Sequence, residues 1–265
     1  MFCVGGRRSE SVLARATAVG VSGLVFVGML AGAHKPAAAH EPAGQHAEFS
    51  VGAEASRQAW SVYSGVTVAP FGALSEDGLR LRTTGGYGGF RYAGLRPSGG
   101  SSELVKFRGT VSFADLLVGY HRQLGPLTLK LYAGATATRH AIDPFDPEAE
   151  VQGAGVGGKA AVETWWTISD MAWTSLDLSY ATLHETYAGR LRVGLRVVPV
   201  LSAGVEVAAN GNIDGRTGRV GGFLRYEWAQ GEVSASGGLM TDWADIEKVD
   251  AHGGGYATIS WLNRF

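Results

Sequence analysis

The strongest constraint on the fold is the alternation of apolar and polar residues at the end of the chain. The apolar parity of residues 256–265 (YATISWLNRF) consists of Ala257, Ile259, Trp261 and Phe265. A period of two predicts a strand with one apolar and one polar face. Outer-membrane barrels commonly end on an aromatic residue, because the closing strand finishes at the periplasmic interface. We therefore expect Phe265 to be an assembly signal for the barrel-assembly machinery; a soluble β protein is the alternative.

The N-terminal residues have the pattern of a secretory signal peptide. Arg7 and Arg8 precede the uncharged residues 16–33, and a run of three alanines follows as a cleavage site. A membrane helix is the alternative, since the uncharged stretch nears the length that spans a bilayer, but its many Gly and Ala residues make it weakly apolar. We expect residues 1–39 to be removed and residues 40–265 to form one exported domain.

The composition after cleavage excludes several classes of function. The only cysteine, Cys3, lies in the removed segment, which excludes a disulfide, a thiolate metal site and a cysteine nucleophile. Removing four of the 23 basic and one of the 24 acidic residues leaves a net charge of −4. That charge gives no reason to expect nucleic acid or an anionic membrane surface as a partner. The 40 glycines favour a curved β structure, because glycine is costly inside helices.

Alternating segments recur about every twenty residues, the spacing of a barrel strand plus its connection. The clearest are residues 127–138, 190–197, 201–208 and 219–228. Tight turns are expected at residues 123–126, 169–170, 198–201 and 229–232, and longer polar connections at 93–102, 143–153, 210–217 and 241–253. Short periplasmic turns that alternate with longer external loops are typical of outer-membrane barrels.

These segments predict an all-β fold, a single antiparallel transmembrane β-barrel of about twelve strands in the cell outer membrane. A single-chain barrel of this kind has an even number of strands, and residues 48–55 (EFSVGAEA) are the candidate for the first one. The alternation changes phase near Asp115, which predicts a β-bulge at that point.

The polar parity of the strands should face the lumen. Its charged residues are Arg80, Arg82, Lys130, Lys159, Glu163, Asp177, Arg190, Arg192, Arg196, Glu206, Arg219, Arg225 and Glu227. They fit either a charged route for a polar solute or opposite charges that pair and fill a narrow interior. For about twelve strands we favour the second interpretation. On the arginine ladder of residues 190, 192 and 196, Asp177 and Glu206 are the nearest counter-charges.

The tryptophans lie mostly near the predicted strand ends, as an interfacial girdle requires. They are Trp60, Trp165, Trp166, Trp173, Trp228, Trp243 and Trp261. Trp243 sits beside a long external loop and is the candidate for carbohydrate contact.

An enzyme is the less favoured alternative. Histidines and inward serines are available for outer-membrane hydrolase or acyltransferase chemistry, namely His121, His140, His184, His252, Ser179, Ser234 and Ser236. They form no nucleophile elbow and no local motif of diagnostic spacing, so we expect a non-enzyme without a cofactor. The acids of DPFDPEAE at residues 143–150 suggest calcium, but the intervening prolines favour an ordered loop, and we expect no metal.

Four segments together resemble the cellulose biosynthesis protein BcsS family of Gram-negative bacteria. They are residues 79–92 (LRLRTTGGYGGFRY), 119–134 (GYHRQLGPLTLKLYAG), 144–163 (PFDPEAEVQGAGVGGKAAVE) and 190–196 (RLRVGLR). The resemblance implies an outer-membrane barrel associated with cellulose synthesis and export, with outer-membrane lipid, other cellulose secretion components or the glucan chain as partners. It supplies no catalytic residues. A general solute porin and a lipid- or glycan-modifying enzyme remain the alternatives.

Overall fold

The chain forms a closed barrel of twelve antiparallel strands. The computed structural model describes residues 44–98, 101–242 and 254–265, so the predicted signal peptide, Trp243 and His252 lie outside the described residues. The strands are β1 (Ala47–Ser56), β2 (Ala59–Val68), β3 (Gly78–Ser98), β4 (Ser101–Leu124), β5 (Leu127–Asp143), β6 (Gly153–Thr167), β7 (Ala172–Ala181), β8 (Thr186–Val198), β9 (Leu201–Gly211), β10 (Arg216–Trp228), β11 (Gly231–Asp242) and β12 (Gly254–Arg264). A short 3-10 turn, Leu183–Glu185, precedes β8.

Each strand pairs with its neighbours in sequence, and β1 pairs with β12 to close the barrel. The predicted fold class is therefore confirmed, and residues 48–55 do form the first strand. At the seam, Glu48 lies opposite Arg264 and Val51 lies opposite Trp261. Because every strand has two partners, the described wall between the two rims is closed and has no open sheet edge.

The two ends of the barrel differ. The turn end carries residues 44–46, the terminal Phe265 and the tight connections at residues 125–126, 199–200 and 229–230, together with the longer segment 69–77. The loop end carries one tight connection, at residues 57–58, and the longer connections at residues 144–152, 182–185 and 212–215.

The polarity of a water-soluble protein is inverted in this barrel. Large apolar side chains on the outer face are exposed, with Leu116 at 67%, Val205 at 59% and Leu224 at 57%. Charged side chains on the inner face are buried, with Arg225 at 0% and Glu206 at 1% exposure. An apolar exterior around a hydrogen-bonded, closed sheet is the arrangement that a lipid bilayer requires.

No helix among the described residues is long and apolar enough to cross a membrane.

Aromatic side chains form a girdle on the outer face near each end. Near the loop end, the rings of Trp60 and Tyr87 meet edge to face with centroids 5.8 Å apart. Near the turn end, Phe49 and Trp261 meet in the same way at 6.0 Å. Two such belts mark the two interfaces of a bilayer.

The expected long loop at residues 93–102 is wrong. β3 and β4 remain paired up to Ser98 and Ser101. The last β3 residue that pairs with β2 is Phe90, and the first β4 residue that pairs with β5 is Arg108. The two strands therefore project beyond the rim as a hairpin. The Gly, Pro and Ser content of the segment is typical of a loop, which is why the sequence did not predict the hairpin.

The expected bulge near Asp115 is also wrong. The register of β4 runs without a shift against both β3 and β5. Phe113 and Leu117 are apolar but face the lumen, at 7% and 3% exposure. They change the polarity pattern without changing the geometry. A register shift occurs instead in β8, between Arg196 and Val198.

Replacing Gly194 should destabilise the barrel, because its missing side chain makes room for Trp173. A Cβ atom on Gly194 would overlap the Trp173 indole, whereas a Cβ atom on Gly158 would lie 3.8 Å from Thr182, an ordinary contact. We expect Gly194→Ala to lower the free energy of unfolding by about 1–3 kcal/mol. Urea unfolding of the refolded barrel, followed by tryptophan fluorescence, measures the change. Gly158→Ala is the matched control, and equal stability of the two variants would contradict the packing.

Candidate functional site in the barrel lumen

The structure pairs two arginines of the predicted ladder with acids on the adjacent strands. Arg190 on β8 contacts Asp177 on β7 at 3.0 Å, and Arg192 contacts Glu206 on β9 at 2.8 Å. The repulsion between Arg190 and Arg192 is offset because each of these two has a counter-charge at hydrogen-bond distance. Arg196 lies at the turn end instead, half-buried, where its Nη1 donates to the Asp170 carbonyl at 2.8 Å.

Arg82 and Glu163 form an ion pair across the lumen, between the non-adjacent strands β3 and β6. Arg82 Nη2 also donates to Glu163 Oε2 at 3.1 Å and to the Tyr132 hydroxyl at 2.9 Å, and its guanidinium lies 3.9 Å from the centroid of the Tyr132 ring. Lys130 is half-buried and lies opposite Glu163 in the register of β5 and β6. The pair therefore spans the inner side of β4 and β5 and ties together two strands that are not hydrogen-bonded neighbours.

Two further pairs join strands that are not hydrogen-bonded neighbours. Lys159 on β6 contacts Asp115 on β4 at 2.6 Å, and Arg219 on β10 contacts Glu54 on β1 at 2.6 Å. The Arg219 guanidinium lies 5.2 Å from the Tyr256 ring centroid. All four charged side chains are at most 7% exposed. Removing one partner from such a buried pair leaves an uncompensated charge.

An aromatic cluster lies in the half of the lumen nearer the turn end. Trp165 and Trp173 stack with centroids 4.1 Å apart, and Phe223 packs against Trp173 at 5.4 Å. The Arg225 guanidinium lies 4.5 Å from the Trp165 ring centroid. The girdle interpretation is therefore wrong for Trp165 and Trp173, which are 2% and 0% exposed on the inner face. Their strand-end positions alone did not reveal the parity.

Arg225 is held by two acids. Its Nη2 contacts Glu227 at 3.0 Å and also pairs with Glu232 on β11. The guanidinium is fully buried, and the aromatic faces and the two carboxylates replace part of its hydration, while its Nε and Nη1 have no hydrogen-bond partner among the described residues.

Arg80 fastens the segment at residues 69–77 across the turn end. Its Nη2 donates to the carbonyls of Ala73 at 3.2 Å and Leu74 at 2.9 Å, and it lies 2.9 Å from His121 Nδ1. Arg80 is 1% exposed. Its role is to satisfy backbone carbonyls at the turn end of the barrel.

The loop at residues 144–152 is fastened at two points of the loop end. Asp146 accepts a hydrogen bond from the Tyr92 hydroxyl of the projecting hairpin at 2.5 Å. Asp214, in the connection at residues 212–215, accepts from the Val151 amide at 2.9 Å. Asp146 thus orders the loop, and in the described part of the chain no group of three acids, histidines or cysteines is arranged to hold a metal ion.

The candidate catalytic histidines and serines among the described residues lie at three places in the barrel. His121 lies near the turn end, whereas His140 lies near the loop end with its ring 5.9 Å from that of His184. Ser236 donates to Glu206 at 3.0 Å, and Ser234 accepts from Arg192 at 3.4 Å. Ser179 lines a small cavity near the loop end together with Thr138 and Leu183.

Several charged lumen residues were not predicted from the sequence. They are Glu48, Glu54, Asp115, Glu232 and Arg264, each of which takes part in a buried ion pair. The inward parity of EFSVGAEA contains both Glu48 and Glu54, so the signal for these two was present. Asp115 was hidden by the apolar lumen residues beside it.

The terminal residue completes the seam. The Phe265 carbonyl accepts from the amides of His46 at 2.7 Å and Ala47 at 3.1 Å, and the Phe265 amide donates back to Ala47 at 2.8 Å. Its ring is 64% exposed. The backbone of the last residue is thus part of the closure, while the assembly signal stays a prediction.

Comparison with known proteins identifies the family. Residues 49–265 match the family described as cellulose biosynthesis protein BcsS. The chain belongs to this family. The match spans the barrel from β1 to Phe265, and the predicted resemblance is confirmed.

Solved structures similar to this BcsS-family barrel are themselves barrels of low sequence identity. The KdgM porin is 8% identical, with 82% of this chain and 99% of that chain covered and a TM-score of 0.42. The transport unit of the autotransporter AIDA-I from Escherichia coli is 11% identical, with coverage of 83% and 90% and a TM-score of 0.45. An outer membrane channel from Pseudomonas putida F1 is 10% identical, with coverage of 88% and 100% and a TM-score of 0.44. No curated protein matches the sequence.

Arg192→Ala should destabilise this BcsS-family barrel and leave its conductance almost unchanged. The change leaves Glu206 buried beside the ladder without its partner, which costs about 3–5 kcal/mol. Denaturant unfolding and planar-bilayer recordings measure the two effects. Arg196→Ala is the control, with a loss of about 1 kcal/mol, because it removes a single bond to a carbonyl near the surface. An open, anion-selective pore that loses selectivity in Arg192→Ala would refute the structural role of the ladder.

Proposed function

We propose that this BcsS-family protein is a non-catalytic barrel of the outer membrane that takes part in cellulose biosynthesis and export. The observation that carries the proposal is the family match over residues 49–265, which gives the link to cellulose. The apolar outer face between two aromatic girdles supports a bilayer location. Since tight turns are typically periplasmic, the turn end faces the periplasm and the loop end faces the exterior.

The lumen supports a role in which the glucan does not pass through this barrel. Buried pairs such as Arg82–Glu163 and Arg219–Glu54 join strands three positions apart over the inner face, and Trp173 is fully buried in the turn half. Opening a route would separate buried pairs at about 3–5 kcal/mol for each abandoned charge. The protein therefore serves export through its surfaces, by contact with other cellulose secretion components or with the emerging glucan chain.

The proposal includes export through a cleaved signal peptide, residues 1–39, and insertion by the barrel-assembly machinery through Phe265. Outer-membrane lipid is the partner of the outer face, and nucleic acid is not a partner. Trp243, which the sequence predicts beside an external loop, remains the proposed carbohydrate contact.

A non-catalytic role is supported by how the candidate serines and histidines are used. Ser234 and Ser236 are bonded to the charged groups of the ladder, and His121 lies against Arg80 and a backbone carbonyl. In these contacts the partners of the three side chains are charged groups and a backbone carbonyl of the lumen. None of these contacts joins a serine to a histidine, as the nucleophile and base of a hydrolase would require.

Deleting the gene should lower surface cellulose, measured by dye binding, and leave the composition of lipid A unchanged. Wild-type protein supplied in trans should restore dye binding, and Trp243→Ala should restore it less well than Trp261→Phe, a control on the outer girdle. Normal cellulose with altered uptake of small solutes would favour a porin and contradict the proposal. A changed lipid A profile that His140→Ala reproduces would favour an enzyme.

A further inference from the structure

The outer face of β3, β4 and β5 carries a cluster of cations near the loop end. Its members are Arg91, Lys106, Arg108 and Arg139, all exposed, and they are called the basic patch below. Strand parity turns each of them away from the lumen, since the alternate residues Phe107 and His140 are buried inside. The patch therefore faces whatever surrounds the barrel.

The register places the basic patch at and above the loop-end aromatic girdle. Arg139 lies opposite Ser112, which in turn lies opposite the girdle residue Tyr87. Arg91 is four residues nearer the loop end than Tyr87 on the same strand, a rise of about 13 Å along the strand. Aromatic girdles mark the level of the lipid headgroups, so the patch spans the headgroup layer and the region above it.

Two members of the basic patch face each other directly. Arg91 and Arg108 are cross-strand partners, with Cβ atoms about 5 Å apart on the same face, and like charges at this position are unfavourable. Asp143 lies opposite Arg108 on its other side and is the acid of this face. Arg91 Nη2 donates to the neutral carbonyl of Arg57 at 2.8 Å. An anion between the two arginines would relieve the repulsion.

The rest of the outer face has a different character. On the other nine strands, the described outward positions of the loop half are uncharged except for Arg216 at the start of β10. The net charge of −4 after signal-peptide removal follows from 19 basic and 23 acidic residues and hides this local concentration. One side of the barrel is thus adapted to anions.

We propose that the basic patch binds the phosphate groups of a phosphorylated glycolipid of the outer leaflet. Guanidinium groups bind phosphate oxygens in a bidentate manner, and Lys106 adds a point charge. Below the patch, the exposed Tyr87 and Leu116 offer an apolar surface for the acyl chains of the same lipid. The inference rests on the proposed outward orientation of the loop end and goes beyond the role in cellulose export.

The test uses purified, detergent-solubilised full-length barrel and two probes, lipid A and lipid A stripped of its phosphates. Each cation near an anionic lipid surface contributes about 1 kcal/mol, so the double variant Arg91→Gln/Arg108→Gln should bind lipid A about 25-fold more weakly. Binding of the dephosphorylated probe should be the same for the double variant and the wild type. Arg216→Gln, an outward cation on the far side of the barrel, is the matched control and should keep the wild-type affinity.

Wild-type protein that binds both probes equally, or a double variant that keeps full affinity for lipid A, would overturn the proposal. Equal weakening by Arg216→Gln would also overturn it, because it would indicate a general effect of charge. Heat-modifiable migration on gels verifies that each variant is folded. Since the assay contains no cellulose, its failure is distinguishable from failure of the proposed function.

Discussion

The closure of the sheet is the constraint on which the rest of the structure depends. In hydrocarbon, an unpaired backbone amide or carbonyl costs several kcal/mol, so the twelve strands are stable in a bilayer only if β1 meets β12. The backbone bonds between Phe265 and Ala47 extend that seam to the last residue. Closure encloses an interior, and every side chain of one parity on every strand must then be accommodated inside it.

The interior is filled by charges that neutralise one another. A lumen of polar parity in a barrel this narrow contains arginines and carboxylates in close contact, and each buried charge requires a partner. Pairs on adjacent strands, such as Arg192–Glu206, follow the register of the sheet, while Arg82–Glu163 joins two strands with two others between them. Both kinds reduce the space that a solute would need.

The sequence predicts the fold well because the bilayer imposes a simple rule on one parity. Val193 and Leu195 face lipid and are apolar, so the alternation of apolar and polar residues on β8 can be recognised in the sequence. That alternation predicts the fold class. The lumen lacks such a rule. Phe113, Leu117 and Trp173 are as acceptable inside as Asp115, which produced the wrong bulge and the wrong girdle position for Trp173.

Partners across the lumen were also beyond prediction from the sequence. Cross-strand neighbours such as Arg190 and Asp177 follow from adjacency in the topology, and the nearest acids were identified in this way. The pairing of Arg219 with Glu54 depends on the diameter and the register of the closed barrel, which no local pattern encodes. Similarly, the basic patch depends on which outward positions of three strands meet at one level.

The ion pairs that join the two ends of the chain set an order of events for biogenesis. Arg264 and Glu48 are 216 residues apart in sequence, and Arg219 and Glu54 are 165 apart, so these contacts form only when the first and last strands have met. Until then the nascent sheet presents unneutralised charge on its concave side. A half-assembled chain is therefore poorly suited to hydrocarbon, and stable insertion coincides with the arrival of the final strand.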